Sequence, residues 1–187
     1  MPLMALSRRI GLVPGLGNVG VVVSERGVVS LEMHAWPDQP AMRHRREPIE
    51  EADHPVIAVV LAQLAGYVFG RTREFPIACD FHGIPPLARA AMEAVRKVPW
   101  GQTRTYEQLA ATFAGGTAPV VCDALARNPL PIIIPCHRAI GHGHMGAYAG
   151  PLKTKRSFLS IEGLDCRKVQ DPPPWQSRRV PRPRSDH

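Results

Sequence analysis

No two cysteines in this chain follow a Cys-x-x-Cys spacing. The four that occur, Cys79, Cys122, Cys136 and Cys166, suggest no disulfide framework and read as reduced thiols of a cytosolic protein. Long hydrophobic runs are also missing. The longest apolar stretch, residues 56–69, has 14 residues, includes Gln63 and Gly66, and is too short to cross a bilayer. Ser7-Arg8-Arg9 ahead of residues 10–23 is a faint export signal. That stretch is glycine-rich, contains Asn18 and lacks a small-residue cleavage site, so export is not expected. No internal repeat is visible.

What is present is ordinary globular usage with an excess of proline. Of 187 residues, 44% are apolar and 21% charged, so a core can form, in one full domain or two small ones. The 20 Pro and 16 Gly imply many turns and at least one unstructured stretch. The net charge of +7 favours a polyanionic partner. The excess is uneven. Residues 166–187 hold six Lys/Arg against Asp171 and Asp186 and carry +4 of it, so the charge argues only weakly for nucleic-acid binding by the folded part.

Residues 19–24 and 28–33 are β-rich runs around Glu25-Arg26-Gly27 and predict a hairpin. Gly15-Leu16-Gly17-Asn18-Val19-Gly20 matches the dinucleotide fingerprint. That motif needs a helix after it, and the valine run that follows predicts a strand, so the reading is rejected. Residues 34–55 are polar and proline-spaced, a loop or linker. A helix is expected from 53 or 54 to about 69, with Ile57, Val60, Leu61, Leu64 and Val68 at helical spacing. Residues 74–81 are a short strand candidate.

A second unit begins near Gly83. Pro85-Pro86 opens a helix whose apolar stripe is Leu87, Ala91, Val95 and Val98. Thr105 with Gln108 forms a capping box for a helix over 106–114, and another short helix spans 118–127 with Pro119 in its first turn. Helix, glycine turn, helix is the helix-turn-helix layout, although most such pairs are plain packing. Ile132-Ile133-Ile134 reads as a buried three-residue strand leading to Pro135-Cys136-His137-Arg138. Residues 141–146 form a loop, and a last helix covers about 153–162. The tail from Cys166 is basic, proline-rich and expected to be disordered.

A free cysteine is most often a buried structural residue. Flanked by imidazole and guanidinium, Cys136 is also a candidate nucleophile, because a nearby base or cation raises the thiolate fraction. Gly141-His142-Gly143-His144 lacks the spacing of a tetrahedral metal site, so no metal site is expected.

The string from Asn128 through Pro135-Cys136-His137-Arg138 is preceded by residues 98–106 and followed by Gly146-Ala147-Tyr148-Ala149-Gly150 and Glu162. It resembles the O6-alkylguanine-DNA alkyltransferases, or methylated-DNA–protein-cysteine methyltransferases. The likeness is specific over about residues 85–163; over 18–81 only the order of elements is similar. The resemblance implies an α/β (α+β) fold in three parts. Residues 1–82 would be a small ribonuclease-H-like sheet domain, 83–165 a helix-turn-helix DNA-binding and alkyl-acceptor domain, and 166–187 the tail.

It further implies single-turnover DNA repair by a cytoplasmic monomer acting on double-stranded DNA with a flipped O6-alkylguanine. Cys136 would accept the alkyl group, His137 would take its proton through a water, and Glu162 would polarise His137. Tyr106 would offer its hydroxyl to a guanine ring nitrogen, and Asn128 would brace the turn leading to Cys136. Tyr148, Ala149 and Leu125 would wall the pocket. Thr105, Pro119, Arg127 and Arg138 would contact DNA. Tyr106 could otherwise be core, Glu162 a solvated helix-end acid, Asn128 a helix cap and Tyr148 packing.

The sequence departs from the family's pattern in places. Pro119 stands where an intercalating arginine is usual, Cys122 and Asp123 replace two small residues, and the pocket loop gains Pro151. Asp123 would face phosphates unfavourably. A non-transferring lesion sensor, a thiol-sensing helix-turn-helix regulator and a cysteine hydrolase are the competing classes. The retained Cys136, His137 and Glu162 favour chemistry, the missing arginine disfavours tight sequence readout, and no oxyanion-hole signature is found.

Overall fold

The computed structural model describes residues 6–33, 49–51, 54–146, 148, 150–166 and 169–171. The N-terminal half is a mixed sheet of β1 (Leu6–Val13), β2 (Gly17–Ser24), β3 (Gly27–Met33) and β4 (Ile49–Glu51), in the order β3-β2-β1-β4. β1 and β3 run antiparallel to β2, and β4 runs parallel to β1. The Ser7-Arg8-Arg9 segment is therefore strand, and Arg8 pairs with Glu32 at 2.7 Å. The glycine fingerprint supplies the β1–β2 turn, where Gly15 (φ 81°) and Gly17 (φ 78°) take the left-handed conformation that L side chains avoid. Residues 49–51 were expected in a linker but join the sheet; residues 34–48 lie outside the described residues.

Helix α1 (Pro55–Val68) lies across β1 and β2. Its N-cap is His54, whose Nδ1 accepts the Val56 amide at 3.3 Å, and Pro55 occupies the first turn, where no donor is needed. Ile57, Val60, Leu64 and Tyr67 form its buried stripe against Val19, Val21, Val23 and Leu31 of the sheet. Gly11 lets the helix approach: a Cβ there would sit 2.5 Å from Leu61 Cδ1.

The C-terminal half holds α2 (Pro86–Arg96), β5 (Arg104–Thr105), α3 (Tyr106–Ala110), α4 (Ala118–Ala126), β6 (Ala139–Ile140) and α5 (Leu152–Ile161). α2 and α3 pack on α4 in the expected helix-turn-helix order. The Thr105–Gln108 capping box is complete, and Thr117 caps α4. Of the expected stripe, Ala91, Val95 and Val98 are buried and Leu87 is 44% exposed; Met92 joins the buried face. α3 ends at Ala110, short of 114, because Thr112 turns its amide and hydroxyl onto Leu109 O and tightens the chain.

Two strand expectations fail. In residues 74–81 only Cys79 pairs, as an isolated bridge to Val28, while Arg96 clamps Phe75 O and Ile77 O. Ile132-Ile133-Ile134 is a buried turn closed by Ile134 N to Leu130 O at 2.8 Å, with Ile132 at φ 75°. Pro129, Pro131 and Pro135 remove the donors a ladder needs, and Asn128 supplies local partners instead. Buried residues of both halves form one continuous cluster, and Leu31 N to Pro129 O (2.8 Å) ties β3 to the segment ahead of Cys136. Among the described residues no helix is long and apolar enough to cross a membrane. Most of the tail lies outside the described residues; Gln170 pairs with His144, and Arg156 holds Val169 O and Asp171.

Candidate functional site

Cys136 opens a single 3₁₀ turn, Cys136–Arg138, and is 4% exposed. Asn128 holds the approach to it. Its Nδ2 donates to Ile134 O at 2.8 Å, and its Oδ1 accepts from Leu130 N at 3.0 Å, so one buried amide braces both sides of the turn. Cys136 N closes onto Ile134 O at 2.8 Å. Burial pushes the thiol's pKa up, against the Asn128 amide and the Lys155 ammonium, which pull it down. At neutral pH the thiol therefore needs a base.

His137 follows it in the chain. His137 is fully buried, and its Nε2 lies 2.6 Å from Glu162 Oε1. With Nε2–H donating to the carboxylate, the neutral ring presents Nδ1 as a lone pair, and Nδ1 has no partner. Burial lowers the His137 pKa despite the attraction of Glu162, which keeps the ring neutral and able to accept a proton.

Glu162 is the C-cap of α5, where the helix dipole disfavours an anion. It is nonetheless buried, so it needs donors. Arg138 Nε gives one to Oε2 at 2.9 Å and Arg138 Nη2 one to Oε1 at 3.0 Å. Gly101 N reaches Oε2 at 3.2 Å, and the Tyr67 hydroxyl reaches Oε1 at 3.1 Å. Burial alone would raise this carboxyl's pKa; His137 and Arg138 outweigh it and hold the group down at about 2. It is not a solvated helix-end acid.

Arg138 is where the sequence reading needs correction. It was expected on DNA, yet it is 5% exposed, clamped on Glu162 and bonded to Val98 O at 2.6 Å. An arginine beside a buried carboxylate is drawn inward because two paired charges cost less there than one. The other expected DNA contacts are placed outward. Thr105 is half-buried at the start of α3. Pro119 is exposed in the first turn of α4, and Arg127 is exposed but paired with Asp123 at 2.6 Å.

Tyr106 starts α3 with its hydroxyl against the pocket loop: a Cβ on Gly146 would sit 2.5 Å from it. Leu125 is buried in the same apolar cluster as Cys136. Tyr148 lies under Lys155, whose Nζ is 5.7 Å from the ring centre, and burial and the facing Cys136 raise its pKa. Ala149 lies outside the described residues. His144 Nδ1 accepts Gly146 N at 3.0 Å and so shapes the loop. A groove of about 390 Å³ between α2 and α3, lined by Glu93, Lys97, Arg104 and Gln108 among others, contains none of the reacting groups.

Three contributors escaped the sequence reading. Tyr67 sits seven residues beyond Val60 in the α1 stripe, a polar-tipped aromatic on an apolar face. Lys155 is fully buried one turn ahead of Phe158 and Leu159, donates to Ala139 O at 2.7 Å, and is lowered by burial to about 8. Gly101 lay in a motif but carried no side-chain signal.

Residues 86–164 match the sequence profile described as 6-O-methylguanine DNA methyltransferase, DNA binding domain. Over that segment the chain is similar to this family. A methylated-DNA–protein-cysteine methyltransferase of Methanothermobacter thermautotrophicus is 42% identical over 86 residues, 46% of this chain and 48% of that one. The chain thus spans about half the length of the curated relatives it matches at this identity. The Sulfolobus acidocaldarius relative of the same name is 27% identical over 80% of this chain and 89% of its own. Among solved structures, Mycobacterium tuberculosis OGT in complex with DNA aligns with a TM-score of 0.71 and 28% identity, over 84% of this chain and 93% of that one. The likeness in fold therefore extends beyond the matched segment into the N-terminal half.

Proposed function

We propose that this chain repairs DNA by moving an alkyl group irreversibly from O6 of guanine to Cys136. The observation that carries the reading is the state of His137. It is locked through Nε2 onto a buried carboxylate, its Nδ1 is unpartnered, and it follows a buried cysteine in the chain. That is a base prepared for a neighbouring thiol and for little else.

The alkylated base is hidden inside a duplex and must be flipped out, at a cost of a few kcal/mol. The helix-turn-helix of α3 and α4 would lie on the DNA, with Thr105, Pro119 and Arg127 on the facing surface. His137 Nδ1 takes the Cys136 proton through a water. The sulfur attacks the alkyl carbon, the S–C bond forms as the C–O6 bond breaks, and guanine leaves with the electron pair. Tyr106 offers its hydroxyl as a hydrogen-bond donor to the ring nitrogen where charge develops. Asn128 keeps the acceptor turn in place, and Tyr148, Ala149 and Leu125 shape the pocket. The thioether is stable, so each molecule acts once, and no cofactor is required. In this reading residues 83–165 do the chemistry, 1–82 support them, and 166–187 form a basic tail. The protein works as a monomer in the cytoplasm.

A duplex carrying O6-methylguanine tests this directly. The peptide containing Cys136 should gain about 14 Da, and Cys136→Ala should abolish the gain, because the thiolate is the nucleophile. Protein that binds the duplex and stays unmodified would instead be a lesion sensor.

A further inference from the structure

The proton path from Cys136 to His137 does not require Tyr67, yet the Tyr67 hydroxyl lies at its far end. Tyr67 belongs to the last turn of α1, 70 positions from His137 and 95 from Glu162. It is fully buried, and edge-on contacts with Trp100 (5.4 Å) and Phe158 (5.8 Å) fix its ring. Its hydroxyl is 3.1 Å from Glu162 Oε1 and 3.3 Å from His137 Nε2. The Nε2 proton already has a closer acceptor in that same Oε1, at 2.6 Å. The phenol therefore donates to Oε1 as well, and the imidazole, the phenol and the Arg138 guanidinium share one oxygen. Burial and the adjacent carboxylate push Tyr67 far above the ordinary phenol range, so it remains a donor.

We propose that Tyr67 is a positioning residue that sets the basicity of His137: by donating to Glu162 Oε1 it withdraws charge from the carboxylate and keeps the imidazole neutral, with Nδ1 available to Cys136. The inference deepens the alkyl-transfer reading and rests on it. A carboxylate that answers only to an imidazole stabilises the imidazolium, and each further donor on the same oxygen weakens that pull, the Tyr67 hydroxyl adding to the Arg138 guanidinium. The groups facing the ring or its partners are Glu162 and Lys155 from α5, Arg138 and Cys136 from its own turn, Tyr148 from the pocket loop, and Tyr67. Among these, only Tyr67 comes from the N-terminal half. The sheet-and-helix unit would thus tune the chemistry of the segment that carries the cysteine.

The test uses the full chain with Tyr67→Phe, which keeps the ring and removes the hydroxyl. The His137 imidazole is titrated by ¹⁵N NMR on unreacted protein, and transfer to Cys136 is timed across pH. The expected midpoint rises by about one pH unit, the scale set by one hydrogen bond to a charged group. The acid limb of the rate profile moves with it, with transfer about tenfold slower below the midpoint and unchanged on the alkaline plateau. Ile57→Val, which loosens the same helix away from the site, should lower thermal stability without moving the midpoint. An unmoved midpoint in Tyr67→Phe, or an equal shift in Ile57→Val, overturns the proposal. Should Tyr67→Phe fail to fold, the native protein decides: a His137 midpoint above the ordinary imidazole value of about 6.5 overturns it, and one below supports it. Native protein that never gains a methyl sinks the transfer reading, whereas the titration speaks for Tyr67 separately.

Discussion

The cluster behind Cys136 and the outward face of α4 are built on opposite plans. In the cluster, one carboxylate collects donors from an imidazole, a guanidinium, a phenol and a backbone amide, all out of water. On α4, Arg127 and Asp123 form an exposed pair four residues apart, and Pro119 stands at the first turn with no charge to offer. Removing a buried partner strands a charge and costs several kcal/mol, whereas an exposed pair contributes at most about 1 kcal/mol. The chain can therefore vary the face it would turn to DNA far more freely than the machinery behind the sulfur.

The sharpest break of this contrast is Glu162→Gln. It strands the Arg138 guanidinium and leaves His137 without an anion. Stability should fall by about 3–5 kcal/mol in urea unfolding, and transfer by about a thousandfold in a timed methylation assay. A folded variant with native transfer would remove the cluster from the mechanism. Next comes acid. Glu162 is held at about 2, below its unfolded value near 4.5. Its stabilisation is complete above 4.5 and lost as pH falls through about 2, roughly 3 kcal/mol in all. His137, lowered by burial, makes the folded state reluctant to bind a proton, so stability also declines as pH drops below the ordinary imidazole value. Urea midpoints measured from pH 7 to 2 should show both declines, and a flat curve would contradict the pairing. The smallest effect belongs to the exposed face. Asp123→Ala releases Arg127 and removes a repulsion, so duplex affinity should rise up to about tenfold and the salt dependence steepen by about one phosphate contact. Folding stability should move by less than about 0.5 kcal/mol. Unchanged binding would mean that α4 does not face the duplex.

Cys136, His137 and Glu162 were singled out through the resemblance to the alkyltransferases, and the structure brings His137 and Glu162 together. The capping box could be read because Thr105 and Gln108 are three apart. The inner contacts could not. Arg138 looked like a surface cation, and only the fold shows that Glu162, 24 positions on, draws it inward. Tyr67 carried the right burial pattern, but its acceptor comes from the other end of the chain. The isoleucine run has strand propensity, which three prolines and one asparagine override. β1 was obscured because its arginines and glycine interrupt the alternation that marks a strand.

The two-residue ladder between β5 and β6 has a mechanical meaning. Arg104 pairs with Ala139 and Thr105 with Ile140, so the peptide groups that launch α3 are laced to those that leave the acceptor turn. A duplex docked as proposed would rest on one end of a short backbone strut whose other end carries the sulfur. Reach from phosphate to nucleophile is then fixed by stiffness built in at folding, and landing on DNA and aiming at the lesion become a single event.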